Sequence, residues 1–274
     1  MIDPKNTPIK YDIIGVGYNT TRRADPYLFS RLFALLSPAP DGQYIDIGCG
    51  TGNYTIEFSK KGLQFTGVDP SHEMLHIANS KSKNVQWLYG VVENIPASDG
   101  SFDGATATLT LHHWKDLSQG ILEVWRVLKP GSRFVIFTSS PEQMNSYWLN
   151  HYFPSLIERS AQQMPSIGVV LSALEDAGFT NIELEKYFVR DDLQDLFLQS
   201  GKNRPEMYFD EKIRKGISTF SSLSNKAEVD AGLKMLKDDL ENGNFQSVKE
   251  QYECDTGDYM FVVAEKLTSL KSNS

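Results

Sequence analysis

The stretch "YIDIGCGTGNY", Tyr44 to Tyr54, sets three glycines within five positions directly behind an apolar run. Glycine is costly inside a strand or helix, because a residue without a Cβ loses the most backbone freedom on ordering. Gly48, Gly50 and Gly52 therefore mark a turn between two elements, with an acid, Asp46, just ahead of it. "QYIDI" reads as the strand before the turn. "NYTIEFSKKG" reads as the helix after it, ended by lysines and Gly62. A glycine turn at this place lets a ligand approach the backbone closely, and the helix N-terminus behind it offers N–H donors.

Outward from the turn, strand-like and helix-like runs alternate. "QFTGVD" is a second strand, and "SHEMLHIANSK" a second helix with Ser71 as its N-cap. "NVQWLYG" and "FDGATATLTL" are the third and fourth strands, "DLSQGILEVWRVL" a helix and "KPGSRFVIFTS" a fifth strand. "LSALEDAGFTNIELEKYFV" gives a helix, a stop at Gly178 and a strand, and "GDYMFVVAEK" a last strand. The pattern predicts an α/β fold: a Rossmann-like, mostly parallel seven-stranded sheet with helices on both faces. Two regions depart from the rhythm. The segment 1–40 precedes the first strand and ends in a helix capped by Asp25, with Pro26 at its first position. Residues 190–256 read as helical and are too long for a simple connection, so a helical insertion before the last strand is expected. The expected core is then 41–189 with 257–266.

Composition sets outer bounds. The chain has 274 residues, 40% hydrophobic and 23% charged, enough for a sizeable core. Its net charge of −8 disfavours nucleic acid as a partner. No run is apolar for the roughly 18 residues of a membrane span, and the first residues lack a signal-peptide layout. Cys49 and Cys254 are the only cysteines, far apart, which argues against a disulfide framework or a zinc site and fits a cytoplasmic location. No metal-ligand set is visible. A monomer or homodimer acting on a small molecule is the expected form.

The spacing narrows the cofactor. A dinucleotide fingerprint needs its third glycine at position 53, which is Asn53. An anion at Asp46 also suits a cationic ligand better than a pyrophosphate. S-adenosyl-L-methionine presents such charge, through its ammonium and its sulfonium. The loop "IDIGCGTGNYT" resembles that of class I S-adenosylmethionine-dependent methyltransferases, most of all the group containing the quinone-biosynthesis enzymes. "GVDPSHEM", "ENIPASDGSFDGATATLTLHHW", "EVWRVLKPGSRFVI" and "GYNTTRRADP" are each similar to stretches of that family, over roughly residues 10–140.

The resemblance implies methyl transfer to a small-molecule acceptor by in-line displacement, with roles for particular residues. The loop residues Asp46, Gly48, Cys49, Gly50 and Gly52 would line the cofactor, Asp69 would bind the ribose hydroxyls, and Thr108 on the fourth strand would add a contact. Tyr18 and Arg22 are candidates for the methionine carboxylate, with Arg23 competing. Where the family commonly reads "GDAE" this chain reads "GVVE", so Val91 replaces the acid that accepts from the adenine amine. Val92, through its backbone, and Glu93 are the substitutes. His112 and His113 are the candidate general bases, with His113 the preferred one. One or two rings of "SYWLNHYF" (Ser146 to Phe153) and "PEMYF" (Pro205 to Phe209) are expected in the acceptor pocket. Two other functions stay open: a non-catalytic S-adenosylmethionine-binding module and a nicotinamide-dependent oxidoreductase.

Overall fold

Alternation of side chains along each strand builds this molecule in layers. A computed structural model describes residues 21–267. Seven strands form one sheet: β1 (Gln43–Ile47), β2 (Gln64–Asp69), β3 (Gln86–Tyr89), β4 (Phe102–Thr108), β5 (Leu128–Thr138), β6 (Phe179–Tyr187) and β7 (Tyr259–Lys266). Their order is β3-β2-β1-β4-β5-β7-β6. Every neighbouring pair from β3 through β5 is parallel, and β7 runs antiparallel to both β5 and β6. The mostly parallel seven-stranded sheet expected from the sequence is present.

On one face, Ile45, Ala105, Phe134, Ile136 and Val262 pack against helices α4 (Leu117–Val127) and α8 (Ile167–Asp176). On the other, Tyr44, Phe65, Val135, Phe137 and Phe261 meet α1 (Pro26–Leu36) and α2 (Asn53–Lys60). Adjacent β5 residues such as Val135 and Ile136 thus serve opposite layers. Helix α3 (His72–Lys81) links β2 to β3 and is capped by the Ser71 hydroxyl, which accepts from Met74 N. Asp25 caps α1 in the same way, accepting from Leu28 N.

Between β5 and β6 the chain also forms α5 (Pro141–Asn145), α6 (Leu149–Tyr152) and α7 (Pro154–Ala161). Between β6 and β7 it forms two short 3-10 turns and helices α9 (Glu211–Gly216), α10 (Ser218–Leu223), α11 (Lys226–Asn242) and α12 (Phe245–Gln251). These two stretches share a third apolar cluster around Trp148, Phe153, Tyr208 and Leu236. Among the described residues no helix is long and apolar enough to cross a membrane.

Candidate functional site

The strand order reverses beside β1: β2 lies on one side of it and β4 on the other. At such a switch point the carboxyl ends of neighbouring strands diverge and leave a crevice. The glycine turn crosses it. Gly48, Gly50 and Gly52 all take positive φ, +67°, +53° and +73°. The need for glycine differs among them. A Cβ on Gly48 would lie 2.1 Å from the Thr110 hydroxyl, and one on Gly52 would lie 2.3 Å from the Trp87 ring. A Cβ on Gly50 meets nothing within 4 Å, and Gly50 lines the crevice.

Two carboxylates stand at this turn. Asp46 lies opposite Thr106 in the β1–β4 register, so both side chains fall on one face. It accepts from Thr106 Oγ1 at 2.9 Å and from Thr55 Oγ1, in the first turn of α2, at 2.6 Å. Burial pushes its carboxyl up to about 6, with the two hydroxyl bonds and the nearby Asp69 as smaller influences. Asp69, at the end of β2, accepts from Gly50 N at 2.8 Å and from Ser71 N at 2.9 Å. It therefore holds the loop and starts α3 together, and it lines the crevice. Cys49 lines the same wall, its thiol pushed well up by burial and then by Asp69 and Asp46. Thr108 completes it with a buried hydroxyl that finds no hydrogen-bond partner among the described residues.

Other sequence-derived candidates sit elsewhere. Tyr18 lies outside the described residues. Val92 is 6% exposed and packed into the core. Glu93 accepts from the backbone of Lys115 and Asp116, ahead of α4, at 2.7 and 3.2 Å. Neither residue lines the crevice. Arg22 does, and it forms a side-on pair with Asp195 through Nε and Nη2. The Tyr54 hydroxyl donates to the same Asp195 carboxylate at 3.1 Å.

A second cavity adjoins the first, and Arg22 and Leu109 line both. The 3-10 turn Leu111–His113 after β4 divides the two histidines between them. His113 faces the glycine-loop crevice and His112 the second cavity, with ring centroids 3.8 Å apart. The second cavity is walled by Met144, Met164, Phe197, Leu198, Ile217 and Tyr259, among others. None of the rings from Ser146–Phe153 or Pro205–Phe209 lines it. Tyr147, Trp148, Tyr152, Phe153 and Tyr208 pack the helical cluster instead, with the hydroxyls of Tyr147 and Tyr208 2.7 Å apart, and Phe209 is exposed.

Several site residues escaped the sequence reading. Thr55 and Thr106 carry no motif beyond their closeness to the loop. Lys81, at the end of α3, donates to Thr51 O, Thr51 Oγ1 and Asn53 Oδ1 at 3.2, 3.0 and 2.8 Å, tying the far side of the loop. Asp195 lies in an irregular stretch 141 residues from Tyr54, with no local signal to mark it.

The crevice and the sheet order define a Rossmann-like α/β protein with a cleft at the carboxyl ends of β1, β2 and β4. A family model described as a methyltransferase domain matches residues 45–136. The chain is 34% identical over 125 residues to the ubiquinone/menaquinone biosynthesis C-methyltransferase of Geotalea daltonii, covering 42% of this chain and 53% of that protein. It is 30% identical over 170 residues to a demethylmenaquinone methyltransferase of Lactococcus lactis, covering 52% of this chain and 68% of that one. A solved structure from Anabaena variabilis, assigned as a methyltransferase of an antibiotic biosynthesis pathway, matches with a TM-score of 0.80 at 30% identity. That match covers 89% of this chain and 98% of the other. The chain belongs to the class I S-adenosylmethionine-dependent methyltransferase family. It spans 53% and 68% of the length of the two curated relatives.

Proposed function

We propose that this chain is an S-adenosylmethionine-dependent methyltransferase acting on a small-molecule acceptor. The observation that carries the reading is the glycine turn: Gly50 is open to a crevice that also holds Asp46, Asp69 and the unpartnered Thr108 hydroxyl. These residues fit the cofactor chemically. Asp46 supplies negative charge toward a cationic ligand, Asp69 offers two acceptor oxygens to the ribose diol, and Thr108 has a hydroxyl with capacity to spare. Gly48 and Cys49 would shape the loop, whereas Arg22, expected on the methionine carboxylate, has its guanidinium engaged by Asp195. When bound, the cofactor supplies a methyl group on a sulfonium, activated without further help from the protein. The protein's part is to align the acceptor, exclude water and remove a proton where the acceptor carries one.

In this reading the second cavity receives the acceptor. Residues 190–256, with the helices that precede β6, form the acceptor-binding lobe. The lid expected over segment 1–40 lies, for residues 1–20, outside the described residues. His112 faces the acceptor cavity and His113 the cofactor crevice, so His112 takes the proton and His113 shapes the seam between them. That reverses the preference read from the sequence. The names of the two curated relatives and the apolar wall favour a ring carbon of a quinol-like acceptor. The test is release of S-adenosylhomocysteine across quinols, phenols, amines and acids. Turnover with ring acceptors supports the reading, whereas tight cofactor binding with no turnover on any class supports a non-catalytic module.

A further inference from the structure

Arg22 is the one charged residue that lines the second cavity among the described residues; no Asp, Glu or Lys does. The rest of the wall is apolar, apart from hydroxyls such as Ser139 and Thr219, the Gln163 amide and the His112 imidazole. A lone guanidinium there would make this a cavity for anions. It is not alone. Asp195 engages it side-on through both carboxylate oxygens, with side-chain exposures of 15% for Arg22 and 2% for Asp195. The Asp195 carboxylate lines the cofactor crevice and not the second cavity, so the pair forms the partition between them. Its position is fixed from several sides. Tyr54 donates to it, Gln194 N donates to Asp25, and Leu196 N donates to Thr21 O at 3.2 Å. Asp195 lies outside the matched methyltransferase-domain region, 45–136.

We infer that Asp195 is a specificity-determining residue: by neutralising Arg22 it makes the second cavity a site for uncharged ring acceptors. The inference rests on the methyltransferase reading of that cavity. A cationic acceptor would find no carboxylate in the wall. An anionic one would find a guanidinium whose charge is already matched. An uncharged ring bearing an oxygen would lose the least hydration on entry and could still bond to the wall hydroxyls.

Three probes of one shape separate the cases: 1-naphthol, 1-naphthoate and 1-naphthylmethylamine, titrated at about neutral pH with saturating S-adenosylhomocysteine. The full chain should bind the naphthol at least about tenfold tighter than either ion. In Asp195→Asn the naphthoate-to-naphthol affinity ratio should rise about tenfold. In the double variant Arg22→Gln/Asp195→Asn it should return to the original value. A structural role alone for Asp195 would weaken all three probes alike, and that result overturns the inference. So does equal binding of the amine or the carboxylate in the unaltered protein, or no binding of any probe while S-adenosylhomocysteine is bound. Failure of S-adenosylhomocysteine itself to bind overturns the methyltransferase reading, and this inference with it.

Discussion

Gly50→Ala tests whether the glycine whose Cβ position is open to the crevice serves a ligand rather than the fold. At φ +53° an alanine pays roughly 1–2 kcal/mol for the left-handed region, partly offset by about 0.4–1 kcal/mol from a stiffer unfolded chain. Its Cβ meets nothing within 4 Å, so no packing cost is added. The net loss is about 1 kcal/mol, roughly 2–4 °C in Tm for a chain of this size. The methyl nevertheless stands in the crevice where the cofactor backbone would pass. Loss of contact there should reduce S-adenosylhomocysteine affinity by at least about tenfold. Gly48→Ala behaves differently, because its Cβ would meet the buried Thr110 side chain at 2.1 Å. Overpacking adds roughly 1–3 kcal/mol to the backbone cost, so Tm should fall severalfold further. Thermal unfolding followed by circular dichroism and calorimetric titration read both effects. A Gly50→Ala protein that binds S-adenosylhomocysteine as tightly as the unaltered chain would refute the placement of the cofactor on this turn.

Asp46→Asn should raise the stability of the ligand-free protein while weakening the cofactor. Its folded carboxyl is lifted to about 6 from 3.8, so its contribution is most favourable below about pH 4 and is lost as pH rises to about 6. Neutralising it should therefore gain on the order of 1–3 kcal/mol at pH 7, and a variant no more stable than the original contradicts the desolvation argument. Asp69→Ala removes the acceptor for Gly50 N and Ser71 N, and should cost about tenfold or more in cofactor affinity in a chain that still folds. Calorimetry showing unchanged affinity would take Asp69 out of the cofactor site. His112→Ala should lower turnover by roughly 10²–10⁴-fold with cofactor affinity intact, whereas His113→Ala should act mainly through cofactor binding. Near-unaltered rates in His112→Ala across pH 6–9 would leave the acceptor's own nucleophilicity as the driving force. Lys81→Met should loosen the loop and weaken S-adenosylhomocysteine several-fold without changing acceptor preference, and a change in preference would contradict a purely loop-holding role.

What could be read from the sequence follows from how locally each feature is encoded. The strands and the loop were legible because apolar alternation and glycine density are properties of adjacent residues. Asp46 and Asp69 were legible for the same reason, since Asp46 is the last residue but one of β1 and Asp69 the last of β2, each beside a turn. For Glu93 the sequence left an adenine contact and a loop role open, because the geometry that turns it to Lys115 N and Asp116 N depends on where α4 begins. Of the aromatic runs around Trp148 and Tyr208 one or two rings were expected in a pocket and the rest in a core, and rings at helical spacing suit a core, which Trp148 and Tyr208 fill here. Asp195 could not have been found. Its meaning lies entirely in Arg22 and Tyr54, which reach it from 173 and 141 residues away. The same holds for the division of His112 and His113 between two cavities, which one 3-10 turn decides.

Titration of the full chain with S-adenosylhomocysteine by calorimetry, repeated with NADH, tests the central claim most directly. The account predicts one site per chain for S-adenosylhomocysteine, weakened in Gly50→Ala and Asp69→Ala, and no competition from NADH. Absence of binding heat with S-adenosylhomocysteine, or its displacement by NADH, would contradict it.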